Sequence, residues 1–303
     1  MSSATQPNLT SFTVRPAVDL AVPSICCLVC SGTEMLSYLP GLLRCKNCGF
    51  VSADLSISDD ELRALYSVDY FHGNEYLDYI AEEQSLRLNF RNRLPVLRHL
   101  IPAWSEADLL EIGCAYGFFL EEVRNEVRSA CGIDICREAI ENALERGLNA
   151  IAGDYLTIDV GRKLDVITMW DTIEHLKHPD LFIQKAASDL KPGGLIALTT
   201  GDIGSVVARL RGRSWRMIHP PTHLHYFSVS TLKKLLHRGG FDVVHVSHPG
   251  ITRNLRSILY FILALRMNRP VLYRTIKSWP IFDLRITSNL FDIMYIVGRL
   301  RPR

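Results

Sequence analysis

Through the middle of the chain, apolar residues gather into short runs that alternate with amphipathic stretches. The runs "ADLLEIG", "ACGIDIC", "LNAIAGD", "KLDVITMWD" and "LIALTT" read as buried strands. Between them, "FFLEEVRNE", "REAIENALERG" with its closing Gly147, and "DLFIQKAASDLKPGG" read as helices. This β-α alternation predicts a parallel sheet with helices on both faces and a ligand site at the carboxyl ends of the strands. Upstream, "SDDELRALY" opens with a Ser N-cap and acids in its first turn, and a long amphipathic helical stretch reaches about Leu100. Tyr70, Phe71, Tyr76 and Tyr79 in this region are expected to be core or docking residues. The chain therefore divides into an N-terminal segment 1–57, a helical linker or cap 58–100 and an α/β domain 101–303.

Length and composition fit that picture: 303 residues, 48% of them hydrophobic and 22% charged, suit one large soluble domain with a small companion. The beginning of the chain shows no basic segment followed by an apolar one, and the longest candidate for a span, "ILYFILAL", falls short of the roughly 18 residues that a bilayer requires. A cytoplasmic address is the expectation. The net charge of +2 hides an uneven distribution, with 17 Lys+Arg against 29 Asp+Glu up to Asp202 and 17 against 3 from Ile203 onward. The second half should therefore favour anions.

Four of the eight cysteines form "CLVC" and "CKNC", placing Cys27 and Cys30 fourteen residues ahead of Cys45 and Cys48. This is the spacing of a structural zinc site, with disulfides as the alternative. Nucleic acid is a poor partner for this module, since residues 1–60 carry three basic residues against five acids.

In "LLEIGCAYG" the small residues Gly113, Ala115 and Gly117 fall at alternate positions where the first strand of the α/β domain turns into its helix. Missing side chains there would let a ligand reach the backbone and the helix N-terminus. Asp134, at the tip of the second strand, can accept from both hydroxyls of a ribose, so turn and acid together indicate a nucleoside ligand. A nicotinamide fingerprint would want its last glycine at 118, where Phe118 stands.

The ordered set "LLEIGCAYGFFLEEV", "CGIDIC", "GDY", "DVITMWDTIEHLKHPD" and "LKPGGLIALTT" resembles the class I S-adenosylmethionine-dependent methyltransferases. The cysteine segment and "HPPTHLHYFSVSTLKKLLHRGGF" resemble a bacterial branch with sugar and natural-product methyltransferases that carry an N-terminal zinc module. The resemblance implies a Rossmann-like sheet of seven strands, with "GFDVVHV" sixth and "FDIMYIVGR" an antiparallel seventh, and a basic insertion at about 249–290 between them. It also implies that Glu111, Gly113, Ala115 and Gly117 hold the methionyl part of S-adenosylmethionine, that Asp134 holds the ribose and Asp154 and Tyr155 the adenine, and that Asp171 and Thr172 wall the methyl group.

Methyl transfer needs the acceptor aligned with the S–CH3 bond and, for a neutral alcohol or an acidic C–H, a base. His225, His175 and His223 are the candidates, because they follow the fourth and fifth strands of the sheet; His219, His237, His245 and His248 read as structural. The leading function is methylation of a small-molecule, sugar or lipid-linked glycan acceptor. The alternatives are an RNA methyltransferase with a zinc module and a methyltransferase-fold scaffold without turnover. For the insertion two readings stand: a helical cover resting on an anionic membrane or lipid-linked acceptor, or a segment packed on the domain. The first is suggested by Arg253, Arg256, Arg266, Arg269, Arg274, Lys277 and Arg285 interleaved with apolar runs and one acid, Asp283.

Overall fold

The structure is a computed structural model that describes residues 13–14, 26–58, 60–61, 79–260, 262–263, 269–276 and 284–302. Near the N-terminus three short antiparallel strands, β1 (Met35–Leu39), β2 (Leu42–Cys45) and β3 (Val51–Ala53), form a ribbon around the four cysteines. The helix start at Ser58 has the expected capping exchange, with the Ser58 N–H donating to Glu61 Oε2 and the Glu61 N–H to Ser58 Oγ. Tyr70, Phe71 and Tyr76 lie outside the described residues. Tyr79 docks as expected, stacking on Tyr116 and Phe118.

Helix α1 (Glu83–Leu100) leads into the α/β domain. The strands and helices follow as β4 (Asp108–Ile112), α2 (Phe118–Val123), β5 (Ser129–Asp134), α3 (Arg137–Glu145), β6 (Ala150–Ala152), β7 (Leu164–Trp170), α4 (Pro179–Asp189) and β8 (Leu190–Gly201). After β8 come α5 (Val206–Arg211), the two-residue β9 (His225–Tyr226), α6 (Val229–Arg238) and β10 (Phe241–Ser247). A hairpin of β11 (Ile251–Asn254) and β12 (Arg285–Ser288) then precedes the last strand, β13 (Ile293–Leu300).

Seven strands form the main sheet in the order β10-β13-β8-β7-β4-β5-β6, and β13 runs antiparallel to both of its neighbours. Each expected strand is present. The continuous apolar runs become strands because both faces are covered: Leu109, Val166, Leu195, Ala197 and Val297 pack on one side, and Leu110, Ile167, Ile196 and Ile296 on the other.

The insertion departs from expectation. It was read as helical, yet its root is the β11–β12 hairpin, and this hairpin packs against α1. Asn89 bonds Thr252 in both directions, its Nδ2 donating to the carbonyl (3.0 Å) and its Oδ1 accepting from the N–H (2.8 Å). Glu82 lies beneath the same segment, where Ser257 Oγ bonds it and the charges of Arg253 and Arg285 act on it. The charges of the exposed Arg253 and Arg285 thus act on a carboxylate at the start of α1. Helices α7 (Leu255–Leu259) and α8 (Pro270–Ile276) are short, and Arg266, Lys277 and Asp283 lie outside the described residues.

The cysteine ribbon is joined to the main domain through the segment after β8. Strand β9 pairs with β3, the Ala53 N–H donates to the Leu224 carbonyl, and Arg238 and Arg213 donate to the carbonyls of Leu28 and Pro40. This connection places the ribbon against the loop that carries two of the candidate histidines, His223 and His225.

Candidate active site

The turn after β4 is built on three left-handed residues, Gly113 (φ +75), Ala115 (φ +46) and Gly117 (φ +75). Glycine adopts such angles without the steric penalty that a side chain incurs. The structure adds a second reason for the bare backbone. A Cβ on Gly113 would lie 2.6 Å from Thr172 Oγ1, and one on Gly117 would lie 2.5 Å from Leu148 Cδ1. Packing within the protein already requires small residues at both positions. Asp134 secures the turn from below, its Oδ2 accepting from the Ala115 N–H and its Oδ1 from the Cys136 N–H, both at 2.8 Å. A carboxylate has about four lone-pair sites, so acceptor capacity remains for a ribose.

Glu111 is buried at the end of β4, and its Oε2 meets no hydrogen-bond partner among the described residues. Burial, reinforced by the charge of Asp134, pushes its carboxyl well above the usual range, against the opposing charge of Arg93. Arg93, from α1, is the residue that sequence reasoning missed. Its guanidinium is 3% exposed, sits 5.1 Å above the Trp170 ring and 5.6 Å above that of Phe90, and reaches Asp171 Oδ2 at 3.4 Å. Its Nε and Nη1 have no partner among the described residues. A signal was available: Leu86, Phe90, Leu94 and Leu97 form the apolar stripe of α1, and Arg93 falls within it. Arg87, Arg91 and Arg98 instead face the surface glutamates Glu83, Glu122 and Glu126.

Beyond β7, Asp171 (φ +50) and Thr172 lie opposite the glycine turn, with Thr172 Oγ1 3.0 Å from the Trp170 carbonyl. Asp154 caps the short turn after β6 by accepting from the Leu156 N–H. The Tyr155 side chain turns into the core: it is buried, donates its hydroxyl to Asp189 Oδ2 at 2.7 Å and packs against Lys185 and Phe182. Its ring therefore belongs to the core and leaves no surface for an adenine.

The structure brings His175 and His223 together, with ring centroids 4.6 Å apart, and adds His219, 3.8 Å from His223. His219 had been read as structural. One ligand atom each from Glu174, His175 and His223 lies within 4.8 Å of the others, near enough to share a proton or a divalent ion. His175 Nδ1 lies 2.9 Å from the Thr222 carbonyl and His223 Nδ1 lies 2.8 Å from that of Met217. A carbonyl only accepts, so both Nδ1 atoms carry the proton and Nε2 is the basic nitrogen. Burial lowers the pKa of His175 and His219 to about 4; burial, with His175 and His219 beside it, also holds His223 well below the usual imidazole range, so all three are neutral near pH 7.

His225 is not part of this group. Although this residue alternates with His223 along an extended chain, β9 pairs with the ribbon and carries His225 between Phe50 and Phe227, at centroid distances of 5.4 and 6.3 Å. Its Nε2 is 3.4 Å from the Lys177 carbonyl. In the ribbon, Cys27 Sγ and Cys48 Sγ are 3.5 Å apart and Cys30 Sγ and Cys45 Sγ 3.6 Å, with all four sulfurs within 4.8 Å. Such separations are too long for disulfides and close to the ~3.8 Å edge of a tetrahedron with metal–sulfur bonds of about 2.3 Å.

A left-handed turn beneath an acid-tipped second strand, on a sheet ending in an antiparallel strand, defines a class I methyltransferase fold. Residues 84–246 match the family model described as a methyltransferase domain, and the chain belongs to that family. A ubiquinone biosynthesis O-methyltransferase of Chelativorans sp. (strain BNC1) is 29% identical over 171 residues, which cover 53% of this chain and 65% of that protein. The protein of the same name from Bartonella tribocorum is 31% identical over 131 residues, covering 41% and 51%. The chain thus spans about half to two thirds of the length of these relatives. Among solved structures, magnesium protoporphyrin IX methyltransferase from Synechocystis PCC 6803 superposes with a TM-score of 0.53 over 81% of this chain and 100% of that one, at 11% identity.

Proposed function

We propose that the protein transfers a methyl group from S-adenosylmethionine to a hydroxyl oxygen of a small-molecule acceptor. The observation that carries this reading is a pair of buried groups beside the glycine turn with hydrogen-bonding capacity unfilled among the described residues, Arg93 at Nε and Nη1 and Glu111 at Oε2. A buried polar atom left without a hydrogen bond costs about 1–3 kcal/mol, and the zwitterionic end of an amino acid supplies the missing partners. Its carboxylate suits Nε and Nη1 of Arg93, and its ammonium suits Glu111 and Asp171. Asp134 would hold the ribose with its remaining lone pairs, and Asp154 would lie toward the adenine.

When bound, the sulfonium supplies an activated methyl group. His175 would then remove the hydroxyl proton on Nε2 as the acceptor oxygen is alkylated, a step that general bases accelerate by about 10²–10⁴-fold. Glu174 and His223 would orient this ring and stabilise the imidazolium. Transfer to oxygen is supported by the names of the curated relatives. One structural zinc on Cys27, Cys30, Cys45 and Cys48 completes the proposal, supported by the sulfur separations. The excess of acids up to Asp202 disfavours RNA as the acceptor.

Calorimetry with S-adenosylmethionine and a methyl-transfer assay over hydroxylated small molecules, sugars, a lipid-linked glycan and RNA test the proposal. Arg93→Ala should bind the cofactor at least about 30-fold more weakly, as expected for a lost charged hydrogen bond, and Arg93→Lys should retain part of the affinity. Undiminished binding by Arg93→Ala, or label transferred to RNA alone, would overturn it.

A further inference from the structure

We infer that the protein docks on an anionic lipid bilayer through α5 and the Leu290–Phe291 tip, and not through the insertion whose composition first suggested such contact. The two elements share one anchor. The Asp202 N–H donates to the Asp292 carbonyl, and the Asp292 carboxylate accepts from Trp215 Nε1 and Arg216 Nη2. Helix α5 leaves this anchor on one side, and Phe291 immediately precedes it on the other.

Both elements present large apolar side chains to solvent. On α5, Ala208 packs inward with Trp215 and Tyr226, while Val206 and Leu210, one helical turn apart, are 71% and 83% exposed. Phe291 is 64% exposed and is held at φ +54, a conformation uncommon for a bulky residue. These are the most exposed apolar residues of their neighbourhood, and they stand where a folded protein gains nothing from them in water.

Charge identifies the partner. Between Asp202 and Asp242 the sequence has no acid and seven Lys or Arg. Arg209 and Arg211 are exposed on the same short helix as Val206 and Leu210. Apolar groups that enter the headgroup boundary, flanked by guanidiniums that meet lipid phosphates, are the composition of an interfacial element. The insertion is less suited, because its hairpin is bound to α1 through Asn89 and Glu82. The inference is independent of the acceptor proposed above.

Co-sedimentation of the full chain with vesicles of phosphatidylcholine alone, and of phosphatidylcholine with phosphatidylglycerol, tests it alongside light scattering of the free protein. Most of the protein should pellet with the anionic vesicles at low salt and stay in the supernatant with the zwitterionic ones, and binding should weaken at high salt. Leu210→Gln with Phe291→Asn should reduce vesicle binding at least fivefold at unchanged melting temperature, asparagine being comfortable in the left-handed conformation. Arg209→Gln with Arg211→Gln should remove the preference for anionic lipid. Recovery in the supernatant with both vesicle types, or equal pelleting of wild type and both variants, overturns the inference. A dimer that Leu210→Gln converts to monomer, without vesicle binding, overturns it in favour of a face between two copies of the chain.

Discussion

Gly113 and His175 show how single residues set the conditions for chemistry here. At Gly113 a side chain meets two obstacles, a left-handed backbone and the Thr172 side chain. Gly113→Ala should lower stability by about 2–3 kcal/mol in urea unfolding. Adding Thr172→Ala should recover part of that loss and leave the ~1 kcal/mol of backbone strain. At His175 the Nδ1–H bond to the Thr222 carbonyl fixes the tautomer, while burial keeps the ring neutral. His175→Ala should reduce kcat about a hundredfold or more with cofactor affinity nearly intact. The wild-type rate, measured against pH, should stay level from neutrality to about pH 5, since the ring takes up its proton only near pH 4. An acidic limb centred at 6.5 would place the base elsewhere.

At the scale of elements, the cysteine ribbon and the histidine loop behave as one unit. Strand β3 pairs with β9, Phe50 packs on His225 and Phe227, and the loop from His219 to Thr222 bonds back to His175. Removing a ribbon cysteine should therefore disturb the acceptor side of the site before the cofactor side. For Cys45→Ser the expected outcome is loss of one zinc per chain by elemental analysis and faster amide exchange over residues 219–227. Calorimetry should find S-adenosylmethionine affinity within about threefold of wild type, because the glycine turn is held by its own pairing of β4 with β5 and by the Asp134 bond to the Ala115 N–H.

For the whole molecule, pH dependence of stability follows from its buried imidazoles. His225 lies between aromatic rings, and burial lowers its pKa from 6.5 to about 4. Below pH 6.5 the unfolded chain therefore binds a proton that the folded chain refuses, and stability is lost as the pH falls toward 4. Phe in this pocket has no such proton. The stability of His225→Phe relative to wild type should rise by ~1.4 kcal/mol for each pH unit from 6.5 down to about 4, then level off. Urea unfolding of both proteins at several pH values measures this, and a constant difference would mean that His225 is solvated. Glu111 and Asp134, whose carboxyls burial pushes upward, act in the opposite direction in both proteins and cancel from the comparison.

Periodicity determined β4 to β8 and the helices between them, because a strand buried on both faces and a helix buried on one leave different spacings of apolar residues, whereas β10 and β13 were implied by the family resemblance. The spacing of four cysteines determined the ribbon, since two tight turns are what lets four sulfurs converge. The tertiary structure decided what depends on contacts between distant segments. Arg93 differs in sequence from the other arginines of α1 only by falling within the apolar stripe; its role comes from β7 and β4, which place Trp170, Asp171 and Glu111 around it. Tyr155, adjacent to a candidate adenine ligand, turns into the core because Asp189 and Phe182 of α4 await it there. His223 and His225 alternate in sequence as if to face one site, but pairing of β9 with a strand 170 residues away separates them. No local pattern encodes such partners, because the free energy that selects them comes from burial against residues far along the chain.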